Sequence, residues 1–120
     1  VPTRTRPEGC CEKPLRCEAL PARQRRQTVA VFRALGDATR LEIFRLVAAQ
    51  SAPICVCDVV ARFDLRQPTI SHHLRVLREA GLVTSERRGV WTYFAPSDEG
   101  LRLLRDAVET LHPAEALSRA

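Results

Sequence analysis

Apolar residues along the chain fall into blocks of helical period, separated by short polar or glycine-bearing breaks, with one change of period near the end. Val29, Phe32 and Leu35 recur at helical spacing and stop at Gly36, where a glycine commonly closes a helix. Asp37 is placed to cap a second helix, whose apolar positions Leu41, Phe44 and Val47 suit one buried face; Gln50, Ser51 and Pro53 end it. A short third helix is predicted from about Cys55, with Val56, Val59, Val60 and Phe63 on one side. Asp64 to Gln67 make a tight link, and Pro68 suits the first residue of a fourth helix, where its missing N–H costs nothing. Ile70, Leu74 and Leu77 are the inward positions of that helix, and Gly81 ends it. Thr69, Ser71, His72, Arg75 and Arg78 are left facing outward. The period then shifts, and residues 82–87 and 90–94 read as two strands joined around Arg88-Gly89. A last helix covers about 97–111, where Leu101, Leu104, Val108 and Leu111 form a stripe suited to pairing with another helix.

The first twenty residues differ in kind. Pro2, Pro7, Gly9 and Pro14 among charged neighbours make a segment that can hardly form a core by itself. The expected organisation is a cysteine-bearing arm over 1–20, one folded unit over 21–112 and a tail over 113–120. A chain of 120 residues is one domain's worth, too short for a separate catalytic domain. Lys and Arg outnumber Asp and Glu by 19 to 14, a net +5, so the surface should attract polyanions. No apolar run approaches the ~20 residues that span a bilayer, and the start lacks the apolar stretch of a secretion signal. A cytoplasmic protein without a membrane partner is expected.

Two short helices joined by a tight turn, the second polar and basic on its outer face, followed by a basic hairpin, have the layout of a winged helix-turn-helix. The predicted fold is therefore mainly α with a small β-hairpin wing. A helix fits the major groove, where Gln, Ser, His and Arg side chains hydrogen-bond base edges, while hairpin arginines reach phosphates or the minor groove. An ordinary solvated helix would account for the charge but not for this ordered combination.

Residues 32–41 (FRALGDATRL) and 67–83 (QPTISHHLRVLREAGLV) closely resemble the ArsR/SmtB family of metal-responsive repressors, and the resemblance runs from about residue 24 to 111. It implies a homodimer, joined through its first and last helices, on double-stranded operator DNA with inverted half-sites. It also implies that Gln67, Thr69, Ser71, His72 and Arg75 face DNA and that Arg87 and Arg88 belong to the wing. Arg66 departs from the family, since many relatives carry a serine there that caps the helix. His72 and His73 make a poor chelate, because adjacent helical residues point about 100° apart. Asp106, Glu109 and His112 lie where the zinc-sensing branch has its ligands, but the two-histidine pattern of that branch is missing, so zinc is not expected there.

Five cysteines sit as Cys10-Cys11, Cys17 and Cys55-Val56-Cys57. In a reducing compartment they read as thiols awaiting a metal or an oxidant, not as a disulfide framework. Residues i and i+2 of a regular helix diverge by about 200°, so Cys55 and Cys57 can face one ion only where the helix has not yet formed. A helix N-terminus should also lower the pKa of a thiol placed there. The run from Cys55 to Asp58 resembles the Cys-Val-Cys-Asp segment of arsenic-, cadmium- and lead-sensing members. Arsenic-sensing relatives often carry a further cysteine where this chain has Val60, and some have paired cysteines before the first helix, as Cys10 and Cys11 are here. The resemblance thus implies a ligand set drawn from Cys10, Cys11, Cys55 and Cys57 for As(III) or Sb(III), with Cd(II) or Pb(II) as the alternative and no organic cofactor.

The expected behaviour is operator binding when ion-free and release on ion capture. Another reading keeps the DNA binder and makes the cysteines a redox switch. A thiol enzyme would need a phosphate cradle or a Cys-x-x-Cys pair, and the chain offers neither, so no enzymatic activity is expected.

Overall fold

In the computed structural model, which describes residues 4–5, 7–9 and 15–112, five helices and three strands follow one another. They are α1 (Ala22–Leu35), α2 (Ala38–Ala48), β1 (Ile54–Cys55), α3 (Val56–Phe63), α4 (Gln67–Glu79), β2 (Val83–Arg88), β3 (Trp91–Pro96) and α5 (Asp98–Leu111). This is a mainly α winged helix-turn-helix. Local chemistry sets most of the boundaries. Asp37 caps α2 by accepting a hydrogen bond from the Arg40 amide at 2.9 Å. Ser97 caps α5 in the same way, from the Gly100 amide at 3.1 Å. Arg66 supplies no side-chain cap to α4, as its departure from serine implies, and only its carbonyl accepts the Thr69 and Ile70 amides, each at 3.1 Å. The helix begins at Gln67, which makes Pro68 its second residue and not its first. Gly81 follows α4 with φ +82°, the left-handed conformation that glycine adopts without strain.

Ile70, Leu74 and Leu77 are completely buried, so the inward face of α4 is the predicted one. They pack with Val31, Ile43, Val47, Val59 and Leu82 in the core. The faces of α1 and α2 differ from expectation. Val31 and Ala34 point inward on α1, while Val29 and Phe32 are 42% and 37% exposed. On α2 the buried set is Ile43, Phe44 and Val47, and Leu41 lies outside. Both helices carry more than one apolar stripe at three- and four-residue spacing, and periodicity does not say which stripe meets the core. In α5, Gly100 and Ala107 are buried and Leu101 and Leu104 half-buried, whereas Val108 and Leu111 are 59% and 68% exposed.

The three strands form one antiparallel sheet in the order β1-β3-β2. The wing strands β2 and β3 begin one residue later than the pattern suggested. Leu82 is a buried link whose amide bonds to the Leu77 carbonyl and whose carbonyl accepts from Ser97, both at 3.0 Å. Strand β1 was not foreseen, since two residues carry no period. Its register sets Ile54 opposite Phe94 and Cys55 opposite Tyr93. Among the described residues no helix is long and apolar enough to cross a membrane.

One arginine ties three helices together. The Arg40 guanidinium donates to the Ala34 and Arg33 carbonyls at the end of α1 and to His73 Nδ1 of α4 at 3.3 Å. An imidazole that accepts from a guanidinium is neutral at that nitrogen. Burial, and to a lesser degree Arg40 and His72, hold the His73 ring below its usual pKa, with Asp37 opposing them.

Two measurements check this packing. A Cβ on Gly100 would lie 2.5 Å from the Gly81 carbonyl oxygen and 2.7 Å from Leu82 Cα, so the α4–β2 turn would have to move. Gly100→Ala should lower unfolding free energy by about 1–3 kcal/mol in urea titrations. Because the folded-state pKa of His73 is depressed, the unfolded chain takes up the proton first and stability falls as pH drops below about 6.5. The urea midpoint should therefore fall between about pH 7.5 and about pH 5.5, and His73→Gln should flatten that fall.

Candidate nucleic-acid interface and thiol site

With Ile70, Leu74 and Leu77 buried, α4 presents Gln67, Thr69, Ser71, His72 and Arg75 to solvent. Arg75 Nη2 donates to His72 Nδ1 at 3.2 Å, which holds two of these side chains as a unit. Arg78 Nη1 donates to Ser85 Oγ of β2 at 3.2 Å and braces the helix against the wing. Between α4 and the wing lies an open cavity of about 360 Å³, lined by Gln67, Ser71, His72 and Arg75 on one side and Trp91 on the other, with Val56 of α3 among its walls. The predicted wing arginines are both on β2. Arg87 is exposed opposite Thr92, while Arg88 bonds Glu86 Oε2 at 3.3 Å and lies over the Tyr93 ring, 4.5 Å from its centroid. Sequence reasoning passed over Val90 and Trp91, which are 81% and 49% exposed beside the hairpin turn. The available signal was an apolar pair immediately after a hairpin glycine. His73 lies on the inner side of α4 against Arg40, away from this surface. Its ring centroid is 6.0 Å from that of His72 with the planes tilted by 53°.

Cys55 and Cys57 meet at the start of α3, where the backbone is still extended at Cys55 (φ −71°, ψ 147°). Cys55 is the N-cap: its Sγ accepts from the Cys57 amide at 3.4 Å, and its own amide donates to Asp58 Oδ2 at 3.2 Å. This is a reciprocal capping box with a thiol in the place usually taken by a hydroxyl. Asp58 was missed as a participant, although an acidic residue three positions after a cap is the sequence sign of such a box. Cys55 is buried and Cys57 exposed.

The expected lowering of thiol pKa at this helix start does not hold for Cys57. Its hydrogen bond with Cys55 pushes it up, and desolvation and the nearby Cys55 and Asp58 add to the effect against the Asp58 amide. The sulfur hydrogen bond and desolvation, with the crowding of like charge behind them, outweigh the helix terminus here. A soft cation bound between the two sulfurs would relieve that crowding, and two thiols are the donors such an ion prefers. Two sulfurs do not complete a set. Among the described residues no group of three or more His, Cys, Asp or Glu side chains could hold a metal ion, and half-buried Val60 fills the position of the absent third thiol. Cys17 is exposed with its Sγ toward the Glu18 carbonyl, and Cys10 and Cys11 lie outside the described residues.

Comparison with known proteins places this geometry. Residues 37–85 match a family described as "Bacterial regulatory protein, arsR family". An uncharacterised HTH-type transcriptional regulator of Methanocaldococcus jannaschii is 37% identical over 81 residues, 68% of this chain and 90% of that protein. The arsenical resistance operon repressor of Bacillus subtilis is 41% identical over 68 residues, 57% of this chain, and the match spans 64% of that repressor's length. A cadmium resistance transcriptional regulatory protein homologue of Staphylococcus aureus is 35% identical over 98 residues, 81% of this chain and 79% of that protein. Among solved structures, a "possible transcriptional regulator for arsenical resistance" superposes with a TM-score of 0.64 at 30% identity, covering 76% of this chain and 96% of that one. A homodimeric winged helix-turn-helix DNA-binding domain of Mycobacterium bovis superposes with a TM-score of 0.60 at 26% identity, covering 82% of this chain and 95% of that domain. With 90% of the Methanocaldococcus jannaschii regulator and 96% of the arsenical-resistance structure matched, and the helix-turn-helix and wing in their places, the chain belongs to the ArsR family of transcriptional regulators.

Proposed function

We propose that this chain is a homodimeric repressor that holds operator DNA when ion-free and releases it when its cysteines capture As(III) or Sb(III). The observation that supports the reading is that a thiol, the side chain soft ions prefer, caps the helix on which α4 packs. In the ion-free state the exposed side chains Gln67, Thr69, Ser71, His72 and Arg75 read the major groove, and Arg87 and Arg88 meet the backbone or the minor groove. Three thiols complete a pyramidal As(III) site, each replacing one hydroxyl of arsenous acid with loss of one water. Cys55 supplies one sulfur and the arm supplies Cys10 and Cys11, with Cys57 as the alternative. Residues 1–20 act as that arm, 21–112 as the DNA-binding and dimerisation domain and 113–120 as a tail. The chain acts by binding, not by turnover.

The exposed apolar residues of α1 and α5 supply the dimer surface: Val29 and Phe32 on one helix, Val108 and Leu111 on the other. They lie on two helices that pack against each other, a surface a second subunit would hide from water, and the similar Mycobacterium bovis domain is homodimeric. A second reading, a Cd(II) or Pb(II) sensor using all four sulfurs, is favoured by the similarity to the Staphylococcus aureus cadmium regulator. The two differ in how much Cys57 matters, since a tetrahedral site needs it and a pyramidal one centred on Cys55 does not.

Two experiments test the proposal. Val108→Glu should place an unpaired carboxylate in the dimer interface and weaken association by about 3 kcal/mol or more, read by sedimentation, with operator affinity falling alongside. Cys55→Ser, and separately the double change Cys10→Ser with Cys11→Ser, should abolish operator release by arsenite while ion-free operator binding, measured by fluorescence anisotropy at fixed salt, stays near wild type. Serine at position 55 still caps α3, so its fold should survive. A double arm variant that responds to arsenite like the wild type would refute the arm.

A further inference from the structure

Cys55 belongs to the wing's sheet as well as to α3. It is the last residue of β1, a two-residue strand, and stands opposite Tyr93 on β3. Glu86 of β2 stands opposite Tyr93 on the other side. Directly opposed residues of antiparallel strands share a face, so Cys55, Tyr93 and Glu86 form one row across the sheet. Arg88 is two residues from Glu86 on the same face, diagonal to Tyr93. It bonds the Glu86 carboxylate at 3.3 Å and places its guanidinium 4.5 Å above the Tyr93 ring. The row therefore runs from the cysteine at the start of α3, by strand register, to Tyr93 and, by side-chain contact, to an arginine of the wing.

The thiol end of this row has little freedom. Cys55 is 5% exposed, its Sγ is engaged by the Cys57 amide, and its backbone is both strand and helix cap. A buried sulfur cannot share an ion with thiols arriving from outside unless Cys55 turns outward. A strand of two residues has few ladder bonds to resist that turn, which makes β1 the weakest edge of the sheet. Turning Cys55 out moves the backbone that backs Tyr93, and the ring that carries Arg88 moves with it.

We propose that Tyr93 is the positioning residue through which ion capture at Cys55 is transmitted to the wing, because it stands opposite the β1 cysteine in the sheet and its ring carries the Arg88 guanidinium. The inference rests on the reading of Cys55 as an ion-binding thiol. Coupling reaches DNA by releasing Arg88 from its set position, in addition to any disturbance of α4 through α3. Trp91, the single tryptophan of the chain, is two residues from Tyr93 and opposite Arg88, so its emission reports the wing directly.

The test titrates the reduced full chain with sodium arsenite while following thiolate–arsenic absorbance in the ultraviolet, Trp91 emission and operator affinity. In the wild type all three should change together, with operator affinity falling by about 5- to 150-fold. Tyr93→Leu should keep the absorbance titration within about twofold of wild type, lose the Trp91 response and retain less than about a third of the fold-change in operator affinity. Tyr93→Phe keeps the ring and should behave as wild type. Arg88→Ala, at an exposed position where folding is not at stake, should bind operator more weakly when ion-free and show the same diminished fold-change. Either Tyr93→Leu or Arg88→Ala releasing operator by the full wild-type factor overturns the inference and leaves the thiol reading intact. A wild-type chain with no thiolate–arsenic absorbance overturns both.

Discussion

The burial of Ile70, Leu74 and Leu77 is the constraint on which the rest of this structure depends. Three side chains with no exposure on one face of a thirteen-residue helix leave a single rotation about its axis, and that rotation decides which polar residues can meet DNA. Full burial of each such side chain contributes roughly 1.5–3 kcal/mol, whereas the outward polar residues contribute little to folding. The interface is thus held in place by a core it does not belong to. Arg78 and Arg40 then secure the helix at two sides, one to Ser85 on the wing and the other to the end of α1.

The start of α3 combines duties that most proteins keep apart. A cap needs an acceptor on an extended residue, a strand end needs an extended residue with free backbone groups, and a soft-ion site needs a thiol outside regular helix. Cys55 is both cap and strand end, and its thiol on the same extended backbone is what the proposed ion site would require. On the proposed reading, ion capture would compete with local structure, which is the condition for one binding event to alter another. The same close packing raises the pKa of Cys57, chiefly through its hydrogen bond with Cys55 and through desolvation, with the neighbouring Cys55 and Asp58 adding to it.

Two groups of exposed apolar residues differ in their distribution. On α1 and α5 they form helical stripes, and on the wing they gather at Val90 and Trp91 next to arginines. The first distribution suits another protein surface, where apolar area is hidden from water on both sides. The second suits a partner with a charged backbone and apolar base and sugar edges.

The number of helices, the cap at Asp37, the polar face of α4 and the hairpin were all legible in the chain, because each depends on residues within about four positions of one another. The Cys55–Cys57 pair was legible for the same reason, whereas the candidate DNA residues came from the family resemblance, with local period giving only the outward placement of those on α4. What the chain alone left open were relations between distant segments. Periodicity marked stripes on α1 and α2 but did not choose among them, and Val29, Phe32 and Leu41 fell outside because the core was already filled by Val31, Ile43 and their neighbours. Strand β1 exists only because β3 passes beside Ile54 and Cys55. The Arg40–His73 contact joins residues 33 positions apart, and the Cys55–Tyr93–Arg88 row draws on three strands. Local sequence carries local hydrogen bonding and period; which surfaces meet is decided only when the whole chain competes for one core.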